Sequence, residues 1–492
     1  MGLGLLLLVS VGKENIYLST QPDITFFKVA YKRYTNFSTE TVAQYFKTTP
    51  DFSRRVTVNI SKNADLLGQI YIYVTLPDII QSSSTTLPAN VKQFAWVKKI
   101  GLALINYVDL EIGGILIERQ YGDWLNIWYE LTNNYGKVNA YNKMIGNIEL
   151  LTSFSNGKTS YGLNIPLNFW FCQDSGLALP LISMVHNDIK LHVEFNDFNN
   201  TYIESPTNYI SISEPFCLFK YGELIKQTVN GNVVVGEFIY YDNINQYIYY
   251  NKLVGDFLIP STVDTRYIIT GNDTLFQTNI TPNSILITDE SYFRFNTPSL
   301  IDAYLLVNYI YLDNEERFNF LNKTHQYLIP MVQNIAEQTF YSINVAYKIP
   351  FINPNKIIFW VAQLVSNINS NDLFNYTLYP ITKDSIINKE SIILNSINRM
   401  QPDNVLMYTN LQIYLNNFVS SENGINMYAF SLNPLDYQPS GTSNFSQIDD
   451  TYIQFSLNKN INYQNTIVIR GYGLQYNLFK VTDGLGGLGY FV

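Results

Sequence analysis

Charge and histidine are scarce in this chain. Only 14% of its 492 residues are Asp, Glu, Lys or Arg, against roughly 25% in an ordinary soluble protein. Three residues are histidine and two are cysteine. Each scarcity excludes something. Cys172 and Cys217 cannot make a disulfide framework in so long a chain, so both are expected as buried thiols in a reducing compartment. Basic residues gather only as pairs, Lys32-Arg33, Arg54-Arg55 and Lys98-Lys99, and net charge is -9. No basic stripe of the kind a nucleic-acid binder carries is present, and direct nucleic-acid binding is not expected. No apolar run reaches the ~20 residues of a membrane-spanning helix. The opening stretch Met1 to Val9 is apolar but short, and it lacks the basic start of a signal peptide. Gly2 invites myristoylation, yet Leu6 stands where that motif wants Ser or Thr.

What is abundant is aromatic and strand-forming. Tyr (39) and Phe (30) favour pleated, half-buried surfaces. Val56 to Ile60, Gln69 to Leu76 and Ile189 to Phe195 alternate apolar and polar residues with period two. Further strands are expected at Tyr304 to Leu312, Lys356 to Val365, Leu411 to Leu415, Ile453 to Leu457 and Thr466 to Ile469. Helical signals are few. Asp123 is placed to cap a helix whose Trp124, Ile127, Trp128 and Leu131 share one face. A second short helix is expected over Asn314 to Lys323. Many strands with short helices define a β-sandwich class, and 492 residues imply two domains. The low charge fits either faces covered by neighbouring subunits or a neutral, Asn-rich surface.

Several motifs read as structural devices. Asp109-Leu110-Glu111-Ile112-Gly113-Gly114 ends an apolar run in a tight turn needing positive φ. Gln438-Pro439-Ser440-Gly441-Thr442-Ser443-Asn444-Phe445-Ser446 is a turn entering a loop that Phe445 can anchor in a core. Asn230-Gly231-Asn232 and Gly271-Asn272-Asp273 mark turns. These motifs, with Thr25 to Phe37, Asn63-Ala64-Asp65, Trp124 to Trp128, Leu163 to Phe171, Gly176 to Leu181, Asp302 to Asp313, Glu315-Glu316-Arg317, His325 to Ile329, Phe359-Trp360-Val361 and the tail Gly484 to Leu488, stand in one order along the chain. Together they resemble the double jelly-roll major capsid proteins of nucleocytoplasmic large DNA viruses. The chain departs from that pattern at Asn63-Ala64, where the family has a basic residue and Gly, and across an unmatched stretch from about Asn199 to Pro298.

The resemblance implies an all-β fold of two tandem eight-stranded jelly-roll sandwiches with short helices. The implied divisions are an N-terminal arm (1-24), a first jelly roll (25-317) carrying a large insertion (199-298), a second jelly roll (324-482) and a Gly-rich tail (483-492). It also implies a structural role: homotrimeric, pseudo-hexagonal capsomers tiling an icosahedral virion. Implied partners are neighbouring capsomers, minor capsid and penton proteins, and an internal viral membrane. Assembly is implied in the host cytoplasm.

Chemistry offers little against this. His192 and Glu194 share a strand face and are a geometrically allowed ligand pair, but a metal site wants a cluster, and a solvated strand face explains them as well. Glu315-Glu316 read as a charge cluster at a helix start, which the helix dipole favours. No G-x-S-x-G, Walker A or H-E-x-x-H is present. The Gly484 to Gly489 run lacks the Lys of a phosphate loop. Catalytic, cofactor-binding and metal residues are therefore expected to be none, with no cofactor. The competing reading is a β-sandwich carbohydrate-binding protein or glycosidase, which needs two facing carboxylates. Sequons at Asn36, Asn59, Asn199, Asn272, Asn279, Asn322, Asn375 and Asn444 carry little weight in an Asn-rich chain.

Overall fold

The computed structural model describes residues 6, 9-10, 12-13, 20-21, 33-80, 93-284, 287-288, 298-378, 383-399, 405-419, 424-463 and 465-490. The expected arm and residues 25-32 of the first motif therefore lie almost wholly outside the described residues.

Eight strands build the first sandwich: β1 (Phe37–Tyr45), β2 (Arg55–Asn59), β3 (Leu66–Leu76), β4 (Ile105–Ile112), β5 (Ile115–Tyr121), β6 (Tyr161–Pro166), β7 (Ile189–Phe195) and β8 (Asp302–Leu312). They pair as β1-β8-β3-β6 and β2-β7-β4-β5, all antiparallel. Eight more build the second: β9 (His325–Phe340), β10 (Asn344–Lys348), β11 (Pro354–Leu364), β12 (Ile387–Leu394), β13 (Ile397–Asn398), β14 (Ile425–Ala429), β15 (Thr451–Leu457) and β16 (Ile467–Thr482). Their order is β9-β16-β11-β14 and β10-β15-β12-β13. This is the first order advanced by eight, so the two rolls share one topology that sequence comparison within the chain does not reveal. A last strand, β17 (Leu485–Leu488), folds back on β16.

The burial patterns follow the layers. β7 buries Ile189, Leu191, Val193 and Phe195 and leaves the intervening residues half-covered, as a sheet with one core face requires. β11 is different. Every residue after Pro354 is buried, because Ile358, Trp360 and Ala362 face the core of roll two while Ile357, Phe359 and Val361 join a cluster shared with roll one. That cluster is continuous from Val58 and Ile72 through Trp124 to Phe359 and Leu474.

Three helices matter. α1 (Gly122–Thr132) lies between β5 and β6. Its four expected apolar positions are inside, with only Trp128 half-covered. α2 (Asn314–Asn322) links the rolls, capped by Asp313. α3 is a π-helical turn, Met407–Leu411, running on into Gln412–Leu415, between β13 and β14. Leu411 to Leu415 is thus helical, which corrects the expected strand. Tyr408, Gln412 and Ile413 are the buried positions, a helical spacing that so short an apolar run conceals.

Between β7 and β8 the chain builds a separate seven-stranded sheet. Its strands lie in the order Gln277–Asn279, Ile268–Gly271, Leu224–Val229, Asn232–Asp242, Tyr247–Val254, Asn208–Ser211 and Ile287–Thr288. It has its own core of Ile210, Ile225, Phe238, Ile248, Phe257 and Ile269, among others. Asn230 and Gly231 both take positive φ, 52° and 83°, in the hairpin turn between two of its strands.

Candidate assembly surfaces and the seam between the rolls

α1 presses its aromatic face onto the second roll. Trp124 stands 5.6 Å from Phe359 and 5.5 Å from Tyr472, centroid to centroid. Next to it Asp123 departs from the expected role. Tyr121 occupies the capping position, and Asp123 lies in the first turn. Its carboxylate instead accepts from the hydroxyls of Tyr376 and Tyr472, the latter at 2.8 Å, with the Arg470 guanidinium 3.8 Å away. All three partners belong to roll two. Burial, then the nearby Asp123 charge, pushes both phenols well above their ordinary range. Lys99 adds a second tie: its Nζ donates to Asn126 and Glu130 on α1 and lies 5.7 Å over the Phe374 ring.

On β5, Glu118 is 4% exposed. Its Oε1 accepts from Gln120 at 2.9 Å and from the backbone N–H of Val332 on β9 at 3.3 Å. Burial pushes the carboxyl up to about 8. Roll two holds a counterpart inside its own core, Glu390, which accepts from the indole N–H of Trp360 and is also pushed up to about 8 by burial.

The sequence motifs turn out to be fasteners. Asp109 accepts two bonds from Arg119, at 2.6 and 2.8 Å, and one from Arg55 at 3.1 Å. Glu111 takes Lys190 and His192 at 2.8 and 3.0 Å. That lowers its pKa, chiefly through the Lys190 bond. Leu110 and Ile112, in alternation, face the core, and Gly113 and Gly114 take φ of 60° and 85° in the turn. Asp65 and Arg317, from motifs far apart in sequence, meet at 3.0 Å, and Asp65 also accepts from the Leu312 N–H. Phe445 is buried in roll two, edge-on to Phe351 and Phe430. The Gly-rich tail closes on roll one: His186 N–H donates to the Gly484 carbonyl, and Asn187 bonds both ways with Gly486. A Cβ on Gly484, whose φ is 80°, would lie 2.6 Å from the His186 ring.

The candidate chemical groups do not assemble. His192 engages Glu111 and Thr57, while Glu194 accepts from Asn106, so the ligand pair is not formed. Among the described residues no three His, Cys, Asp or Glu side chains gather as a metal site. Glu315 and Glu316 lie in the first turn of α2. Cys172 is buried, and its thiol is pushed up to about 12; Cys217 is only half-buried, so the expectation of two buried thiols holds for one.

Comparison with known proteins agrees with this architecture. Residues 25–250 match the model of the major capsid protein N-terminus, and residues 316–487 that of the large eukaryotic DNA virus major capsid protein. The chain is 36% identical to probable capsid protein 4 of Acanthamoeba polyphaga mimivirus over 99% of both chains. It is 28% identical to the major capsid protein of Pyramimonas orientalis virus over the full length of both. Its fold superposes on the Faustovirus major capsid protein with a TM-score of 0.66, at 12% identity, covering 96% of this chain and 94% of the other. The chain belongs to the family of large eukaryotic DNA virus major capsid proteins, a structural virion protein built as two tandem jelly rolls.

Proposed function

We propose that three copies of this chain form one capsomer of pseudo-hexagonal outline, and that such capsomers tile an icosahedral shell. The observation that carries the reading is the pair of rolls with one strand order, joined through a single core. Three copies present six equivalent sandwiches. An obligate interface of this kind buries several thousand Å2 with an apolar centre, in keeping with a surface poor in charge. The divisions proposed are an arm over 1–24, roll one over 25–317 with its insertion at 199–298, roll two over 324–482 and a tail over 483–492. The insertion forms the outward top of the capsomer, and the arm works at the inner face against minor capsid proteins or an internal membrane. Penton proteins join the shell at its vertices, and assembly takes place in host cytoplasm.

The protein acts by assembly, not catalysis. Asp123 and Glu337 do line one cleft of the seam, but Arg470 lies between them and donates to Glu337 at 3.2 Å. The phenols of Tyr376 and Tyr472 take the oxygens of Asp123. That leaves no free carboxylate pair there for glycoside hydrolysis. Light scattering of the purified chain at micromolar concentration tests the reading. Three times the chain mass of 56.6 kDa is expected; a monomer contradicts it.

A further inference from the structure

α1 and α3 occupy the same place in two rolls of one topology, between the fifth and sixth strands. α1 is used up inside the chain, seated on the outer face of β11 and β16 through Trp124, Phe359 and Tyr472. Among the described residues the equivalent pieces of that contact are both present, the helix exposed and the sheet face half-exposed. α3 exposes Leu411, Tyr414 and Leu415, at 39, 80 and 60%, and no Asp, Glu, Lys or Arg stands anywhere between Val405 and Val419. In roll one, the strands equivalent to β11 and β16 are β3 and β8. The outer face of their sheet carries a row of rings, Tyr45 of β1, Tyr304 of β8 and Tyr73 of β3, with centroids 5.4 and 4.7 Å apart. The next row along the register is Ala43, Leu306 and Tyr71. Neither row holds a charged residue.

We propose that α3 of one copy seats on the outer face of β3 and β8 of a second copy, repeating between chains the contact that α1 makes within one. The inference rests on the trimer reading and deepens it by naming the surfaces. The contact is heterologous: one partner gives a helix, the other a sheet. Such contacts close into a ring when the rotation allows. Every chain then offers one helix and one sheet face, and a closed ring leaves neither exposed. The uncharged helix and the two uncharged rows of the sheet gain by removal from water.

The test uses the full chain with Leu415→Asp, which spoils the helix, and Leu306→Asp, which spoils the sheet. Light scattering is expected to find each variant monomeric, with circular dichroism and a cooperative melt showing it folded. If either variant fails to fold, Tyr414→Lys or Tyr73→Lys replaces it. Mixed one to one, the two variants are expected to form a dimer and nothing larger. Only the intact helix of the Leu306→Asp copy can meet the intact sheet of the Leu415→Asp copy. Ile244→Asp, at a turn of the inserted sheet where Ile244 is 87% exposed, is expected to stay trimeric. Variants that remain trimeric, a mixture that remains monomeric, or an Ile244→Asp protein that dissociates would each overturn the assignment. A monomeric wild type instead removes the trimer reading, and this contact with it.

Discussion

Trp124 on α1 is wholly buried between the rolls, whereas Tyr414 on the equivalent helix α3 is 80% exposed. The same contrast runs through the sheets. β11 is covered on both faces, while β8 alternates buried and half-exposed positions. One topology thus appears in two states of completion, and the difference lies in what is packed on top. Roll two already has a neighbour; roll one shows the surface such a neighbour would cover. Strand composition follows. A strand with two covered faces reads as an unbroken apolar run, Ile357 to Ala362, and one with a single covered face alternates.

The comparison can be broken most strongly at the seam. Trp124→Ala empties the space against Phe359 and Tyr472 and is expected to lower stability by about 3–5 kcal/mol, read as a large fall in denaturation midpoint. A loss no greater than that of an exposed tyrosine would show that the seam is not a shared core. A second effect is expected from pH. Glu118 and Glu390 are protonated more readily in the folded chain, so their contribution is complete below pH ~4.5 and is lost as pH rises through about 8. Melting temperature should therefore fall between pH 5.5 and 8.5, and Glu118→Gln should flatten that slope; an unchanged slope would place the proton elsewhere. Asp123→Asn keeps one acceptor for two phenols and removes the charge facing Arg470. A loss of about 1–3 kcal/mol is expected in urea titration, and a neutral result would mean that the aromatic contacts alone hold the rolls together. Smallest is Tyr414→Ala in the monomeric Leu306→Asp background, where a change within about 0.5 kcal/mol is expected. A larger one would show α3 already packed within its own chain.

The period-two strands were legible because alternation records one covered face: Ile189 to Phe195 has the same bounds in sequence and structure. Of the long strand β16 the sequence pattern marks only Thr466 to Ile469. Beyond that its pattern breaks at Gly471 and Gly473, which lie where a Cβ would meet Ile335, Tyr347 and Phe351. Asp123 looked like a helix cap since local spacing is all a single sequence displays. Its phenol partners are 253 and 349 residues away, and no periodic signal spans that distance. Asp65 and Arg317 each stand within a motif, but nothing in either motif announces that the two close one loop. Leu411 to Leu415 reads as a strand because five apolar-rich residues suit either element, and only the unit packed beneath decides for the helix α3.

The inserted sheet has one further property. Its first and last described strands are neighbours, with Asn208 opposite Thr288 and Tyr209 opposite Ile287. With a core of its own and its first and last described strands paired, such a sheet is a removable cassette. Its sequence can drift, lengthen or be exchanged for a foreign epitope without altering the register of β7 or β8, and on the proposed outward placement the visible face of a particle would evolve faster than its frame.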